Sequence, residues 1–270
     1  MALPRRVALV TLDSCRYDSF LQARAPGMKA LGPLYRAQAP SHFTFGSHAA
    51  MFVGFTPGVA AARQPYVNPK WVRIFRMQGV PVPRPGALFE LPGANIVQGF
   101  RALGYATLGS AAVGWFDPAT PTGRVLSADF DSYYFAPDYW GLPEQLAFLR
   151  QQLALLPDHA AVFVFLNVGE THVPYYHQGA PWGPWPNPCE AFGEDNDASE
   201  CRRRQVACVE YVDESLGPFL SGFDAVVLCA DHGDCWGEDG LWEHGISHPK
   251  TLEVPLILKL PVGAENPSRR

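Results

Sequence analysis

The chain has 270 residues, 47% of them hydrophobic and 17% charged, with 21 Lys and Arg against 26 Asp and Glu for a formal net charge of −5. This apolar share supplies a core and excludes a disordered chain. An acid excess whose longest basic run is Arg202-Arg203-Arg204 excludes an extended nucleic-acid surface. The 26 Pro and 25 Gly follow no three-residue period, so they predict long, stiff loops around a regular scaffold rather than collagen. Length predicts one α/β domain over 1–270.

In chain order, the first apolar run is Val7–Leu12, preceded by Met1–Arg6 with two arginines. It is shorter than an export-signal core and far below the ~18 residues of a membrane span. The expectation is a cytoplasmic protein without a membrane partner. Its six cysteines (15, 189, 201, 208, 229 and 235) are then expected as thiols. In an exported protein, Cys189 and Cys201 could bridge across a loop. No pair is spaced as CxxC, so a cysteine zinc site has little support.

Further strands are expected at Tyr105–Leu108, Ala161–Asn167, Ala225–Ala230 and Val254–Leu260, each nearly free of polar residues as a doubly covered strand should be. Helices are expected at Asn95–Leu103, Pro143–Leu156 and Ala198–Leu220. In the last, Val206, Val209, Val212, Leu216 and Phe219 recur at spacings of three or four. Such alternation predicts a mostly parallel central sheet flanked by helices. Two stretches resist it, Thr56–Pro92 and Thr171–Asn196. Both are proline-rich, and the second carries Trp182 and Trp185, which suit either an aromatic lid or a flap packed on the body.

Polar residues gather where strands end. The first strand runs into Asp13-Ser14-Cys15-Arg16-Tyr17-Asp18, and Val226–Ala230 into Asp231-His232-Gly233-Asp234. In an open α/β sheet, ligands bind beyond the carboxyl ends of strands. Asp13 with Asp231 and His232 makes a hard-to-borderline donor set, suited to Mn²⁺ or Zn²⁺ and, as the harder alternative, Ca²⁺. Either motif alone would be an ordinary Asp cap; the pair in register favours a metal. Between them, Ala39–Gly54 predicts a loop entering a short helix near Thr44–Gly46. There the Thr44 hydroxyl is either a helix cap or a nucleophile awaiting a metal.

Together these segments resemble the sulfatase-like branch of the alkaline phosphatase superfamily. The resemblance rests on Asp13, Arg16 and Asp18, then on Thr44-Phe45-Gly46-Ser47-His48 with Gly54, and on Glu170-Thr171-His172-Val173-Pro174-Tyr175. It continues in Asp231-His232-Gly233, Gly237-Glu238, His244-Gly245, Lys250 and Val254-Pro255-Leu256-Ile257. These lie in family order from position 13 to 257. The departures are informative. Thr44 cannot become the formylglycine of true sulfatases, Gly46 and His48 replace the Pro and Arg of the maturation motif, and Ser14 replaces a second Asp. The small C-terminal subdomain is expected to be missing, leaving the site open or completed by a second copy or a partner chain.

The resemblance implies a metal-dependent hydrolase of small phosphate esters working through a phosphothreonine. Asp13, Thr44, Asp231 and His232 would hold the metal, and Thr44 would be the nucleophile. His172 and His244 would donate to phosphoryl or leaving oxygens, or else ligate a second metal, with Arg16 and Lys250 as further substrate contacts. His42, His48, His177 and His248 are expected in supporting or structural roles. Alternatives are a phosphotransferase using an acceptor other than water, a sulfatase-like ester hydrolase, and a non-catalytic phosphate-binding protein.

Overall fold

The computed structural model describes residues 3–54 and 94–261; the loop expected at Thr56–Pro92 lies outside the described residues. The first part of the chain holds β1 (Arg6–Leu12), α1 (Tyr17–Gln22), α2 (Pro26–Lys29), β2 (Leu34–Gln38) and α3 (Thr44–Val53). Next come α4 (Ile96–Ala102), β3 (Ala106–Ala111), α5 (Pro121–Ser127), β4 (Ser132–Phe135), α6 (Leu142–Leu155) and β5 (Val162–Val168). The last part holds α7 (Ala198–Ser221), β6 (Ala225–Ala230), the two-residue strands β7 (Cys235–Trp236) and β8 (Trp242–Glu243), α8 (Pro249–Leu252) and β9 (Glu253–Lys259).

Seven strands form one sheet in the order β2-β9-β6-β1-β5-β3-β4. Only β9 runs against its neighbours β6 and β2; the pairs along β6-β1-β5-β3-β4 are parallel. The expected mostly parallel α/β sheet is therefore observed. Two strands that carry no apolar run, β2 and β4, lie at the sheet's edges and are at most half-buried. Among the described residues no helix is long and apolar enough to cross a membrane.

Period-2 alternation divides the core. Ala8, Val10 and Leu12 of β1, with Val162, Val164 and Leu166 of β5, face a layer containing Leu142, Leu146 and Leu149 of α6 and Val209, Val212 and Leu216 of α7. The intervening Leu9, Phe163 and Phe165 face the other layer, with Phe45 and Phe52 of α3 and Val97 of α4. Helix ends follow local chemistry. Asn95 and Gln98 form a reciprocal capping box at α4, and the Asp197 carboxylate accepts from Ser199 and Glu200 backbone N–H at α7.

The strand register then determines the site. Thr11 of β1 lies opposite Asn167 of β5 and Cys229 of β6, and Leu12 opposite Val168 and Ala230. One residue later the chain leaves the sheet on all three strands, so Asp13 and Asp231 emerge side by side. Loop 171–196 holds no helix or strand. It seals onto the body through buried Tyr175 and Cys189, while Trp185 and Phe192 point outward at 72% and 97% exposure. The loop thus has a packed base and an exposed aromatic rim. All six cysteines are free and buried, with Cys189 and Cys201 in one cluster.

Candidate active site

Four groups from three segments meet at the sheet's carboxyl edge. The Nε2 atom of His232 lies 3.2 Å from Thr44 Oγ1, 3.5 Å from Asp231 Oδ2 and 3.9 Å from Asp13 Oδ1. All four residues are fully buried. Four ligands at about 2.0–2.1 Å from a tetrahedral ion stand about 3.3–3.4 Å apart, so this spacing suits atoms arranged around a common cation. The remaining donors and acceptors agree. His232 Nδ1 donates to the Gly233 carbonyl at 3.0 Å, which leaves a lone pair on Nε2. Asp231 Oδ1 accepts from the Ser14 and His232 backbone N–H groups, whereas its buried Oδ2 has no hydrogen-bond partner. That orphaned oxygen is what a metal ligand looks like before its ion is added. The residues fit a divalent metal.

Electrostatics point the same way. Burial and the neighbouring Asp13 push the Asp231 carboxyl well above the usual carboxylate range. Burial and His244 push His232 down to about 3. Two buried acids and a neutral imidazole, with no Lys or Arg paired to them among the described residues, form a site that suits a positive charge.

Behind the four groups runs a supporting chain. Asn167 Nδ2 donates to Asp13 Oδ2 at 3.0 Å and to Thr11 Oγ1 at 3.3 Å, and Thr11 Oγ1 meets His48 Nε2 at 2.9 Å. One turn beyond the nucleophile position, His48 Nδ1 donates to the Thr44 carbonyl at 2.8 Å. Burial holds His48 down to about 4, so it stays neutral. Ser47 donates to the Asp231 carbonyl at 2.6 Å, and Thr171 to that of Asp13 at 2.7 Å. Thr11, Ser47 and Asn167 had no sequence signal beyond being polar residues within apolar strands or the first turn of a helix. Thr11 and Asn167 lie by period-2 alternation on the sheet face that carries α3, and Ser47 lies on α3 itself.

Both predicted donor histidines lie beside this cluster. His172 Nε2 stands 4.0 Å from Asp13 Oδ1, its Nδ1 donating to the Val173 carbonyl. The His244 ring lies 4.5 Å from that of His232 and 5.3 Å from that of His172. A further residue is Asp234, fully buried, whose Oδ1 is 2.8 Å from His244 Nδ1. Among the described residues, two groups could hold a metal ion: Asp13 with Asp231 and His232, and His232 with Asp234 and His244.

Arg16 and Lys250 sit elsewhere. The Arg16 guanidinium is fully buried against Trp236, its centre 4.0 Å from the ring centroid. It is paired with Asp18 at 2.7 Å and Glu238 at 2.8 Å, while Lys250 reaches Asp18 at 2.9 Å. The structure groups these two cations with Asp18 rather than with Thr44. Of the other histidines, His177 stacks on Tyr211 and the His248 side chain caps α8.

Neither a protein-family model nor a curated protein matches the sequence. Solved structures do match. The periplasmic domain of EcEptC from Escherichia coli, in complex with Zn, superposes with a TM-score of 0.63 at 14% identity, covering 97% of this chain and 74% of that one. The phosphonate monoester hydrolase of Agrobacterium radiobacter gives 0.63 at 16%, covering 96% and 68%. A protein described as in the alkaline phosphatase superfamily, from Vibrio parahaemolyticus, gives 0.57 at 14%, covering 97% and 61%. The chain has the alkaline phosphatase superfamily fold. That agrees with the resemblance carried by its motifs. One neighbour is a periplasmic domain, so the fold gives no support to the cytoplasmic expectation.

Proposed function

We propose that the chain is a metal-dependent phosphoryl-transfer enzyme acting on phosphate esters, with Thr44 as the nucleophile. The observation that carries this is the position of Thr44 Oγ1, 3.2 Å from His232 Nε2 within the buried group of Asp13, Asp231 and His232. A divalent ion held by Asp13, Asp231, His232 and Thr44, of which Zn²⁺ best suits the mixed O and N donors, would make the hydroxyl acidic and offset charge on the phosphoryl oxygens. Thr44 Oγ forms a bond to phosphorus as the bond to the leaving oxygen breaks, giving a phosphothreonine. His172 and His244 donate to the phosphoryl or leaving oxygens. In the second half-reaction an incoming hydroxyl attacks the same phosphorus and releases Thr44.

Water as that acceptor makes the protein a hydrolase. The likeness to a phosphonate monoester hydrolase supports it, and the likeness to a phosphoethanolamine transferase, EptC from Campylobacter jejuni, supports an acceptor other than water equally. The test uses the zinc-loaded chain with nitrophenyl phosphate monoesters, diesters and phosphonates. Thr44→Ala should keep its zinc and lose turnover by orders of magnitude, Thr44→Ser should retain activity, and quenched wild type should carry phosphate on Thr44. Wild-type turnover by Thr44→Ala would reduce the residue to a helix cap. A burst equal to the enzyme concentration, followed by release only on adding alcohols, would identify a transferase.

A further inference from the structure

The second metal-compatible group, His232 with Asp234 and His244, has a geometry unlike the first. His244 Nδ1 and Asp234 Oδ1 are 2.8 Å apart. This is closer than the about 3.3 Å at which two ligands of one tetrahedral ion stand, and it is the length of a charge-assisted hydrogen bond. On its other side Asp234 is held by a directed chain. The Trp236 indole N–H, which can only donate, gives its proton to Tyr175 Oη at 2.8 Å. Tyr175 must then aim its own hydroxyl proton elsewhere, and Asp234 Oδ2 receives it at 2.8 Å. Tyr175 and Asp234 are fully buried and Trp236 nearly so, while the His244 side chain keeps 6% exposure beside the His232 ring.

We infer that Asp234 is a positioning residue for His244, holding the imidazole through an Nδ1–H···Oδ1 bond so that Nε2 is the nitrogen turned to the phosphoryl group, where a proton on Nε2 makes it the donor. The orientation comes from three directions. Asp234 follows the metal motif by two residues, and Tyr175 closes the Glu170–Tyr175 element. The loop bearing His244 is tied to the nucleophile's loop by Gly245 N–H donating to the His42 carbonyl at 2.8 Å. A buried carboxylate bound to the far nitrogen is a general means of fixing which imidazole nitrogen works. The inference rests on His244 being the donor of the proposed function, and it adds the residue that orients it.

The experiment has two arms on the full, zinc-loaded chain. In the first, long-range ¹H–¹⁵N spectra, with His244 assigned from His244→Ala, should show Nδ1 protonated in wild type, its proton held in the bond to Asp234. Asp234→Asn should lose that signature. In the second, with a nitrophenyl phosphodiester, Asp234→Asn should lower kcat by at least about 10-fold with KM and zinc content nearly unchanged, and Asp234→Glu should recover part of the loss. An unprotonated Nδ1 in wild type would overturn the inference, as would kcat of Asp234→Asn within twofold of wild type. Loss of one of two bound zinc ions in Asp234→Asn would make Asp234 a ligand and overturn it too. If His244→Ala is inactive while Asp234→Asn is active, the inference fails alone. If His244→Ala turns over normally, the donor role falls first and the inference with it.

Discussion

Two charged clusters lie near one another at the carboxyl edge of the sheet, and they resolve their charge differently. Around Arg16, every charge has an opposite within hydrogen-bonding distance: Asp18 at 2.7 Å, Glu238 at 2.8 Å, and Lys250 completing Asp18 at 2.9 Å. Around His232, acids and imidazole stand at 3.5–3.9 Å, and one buried carboxylate oxygen has no donor. The first cluster is finished by its own side chains; the second is spaced for a guest. Contact distance separates a structural ion-pair network from a candidate catalytic centre: Asp18 has cations at contact, whereas Asp13 and Asp231 stand 3.5–3.9 Å from His232.

The sharpest way to break that comparison is one substitution with opposite signs in two states. Asp231→Asn should abolish tight zinc binding and lower turnover by orders of magnitude. In metal-free protein the same change should raise Tm, because it removes one of two buried carboxylates that repel each other. Zinc at 1,000 times its Kd should stabilise wild type by about 4 kcal/mol and leave Asp231→Asn unmoved. A metal-free Asp231→Asn protein that melts below wild type would show that the acids are already compensated within the fold.

The Arg16 cluster should answer in the reverse sense. Arg16→Met leaves Asp18 and Glu238 beside an apolar chain and should cost about 3–5 kcal/mol of stability, with zinc stoichiometry intact. Burial alone would raise the Asp18 carboxyl, but Arg16 and then Lys250 hold it well below its usual 3.8. Its contribution is therefore present above that value and fades as pH falls further. Urea melts at pH 7 and pH 3 check this. The Arg16→Met deficit should shrink in acid, and a deficit equal at both would assign the loss to packing on Trp236 instead.

The same contrast explains what was legible in the sequence. The centre of the sheet was readable because β1, β5 and β6 are uninterrupted apolar runs, and because Asp13 and Asp231-His232 follow them directly. β2 and β4 were not, since half-exposed edge strands need no apolar run. Of the candidate site, the residues that share a short motif are the ones the sequence singles out, and the structure brings Asp13, Thr44, His172, Asp231, His232 and His244 together. No short motif marks Asp234, because its partners Tyr175 and His244 lie 59 and 10 residues away. Arg16 and Lys250 were read as substrate contacts since a cation near a phosphate motif invites it. Only the positions of Asp18 and Glu238 reveal how those cations are already engaged.

Glu170 supplies a third and gentler case, a buried acid with neither metal nor cation. It follows β5, accepts the Leu142 backbone N–H on Oε1 at 2.8 Å, and has no hydrogen-bond partner on buried Oε2. Burial pushes its carboxyl up to about 8 from 4.5, so the charge is resolved by holding a proton. A raised folded-state value means the stability linked to this group is complete below 4.5 and is lost as pH rises through about 8. Glu170→Gln, which keeps the shape and cannot ionise, should match wild type near pH 4.5. It should then gain on it by about 1.4 kcal/mol per pH unit, reaching about 3 kcal/mol at pH 6.5, in paired urea melts of metal-free protein. Parallel stability curves across that range would mean that Glu170 stays ionised beside a compensating charge. In that case Glu170 would resolve its charge as Asp18 does, through an ion pair rather than a bound proton.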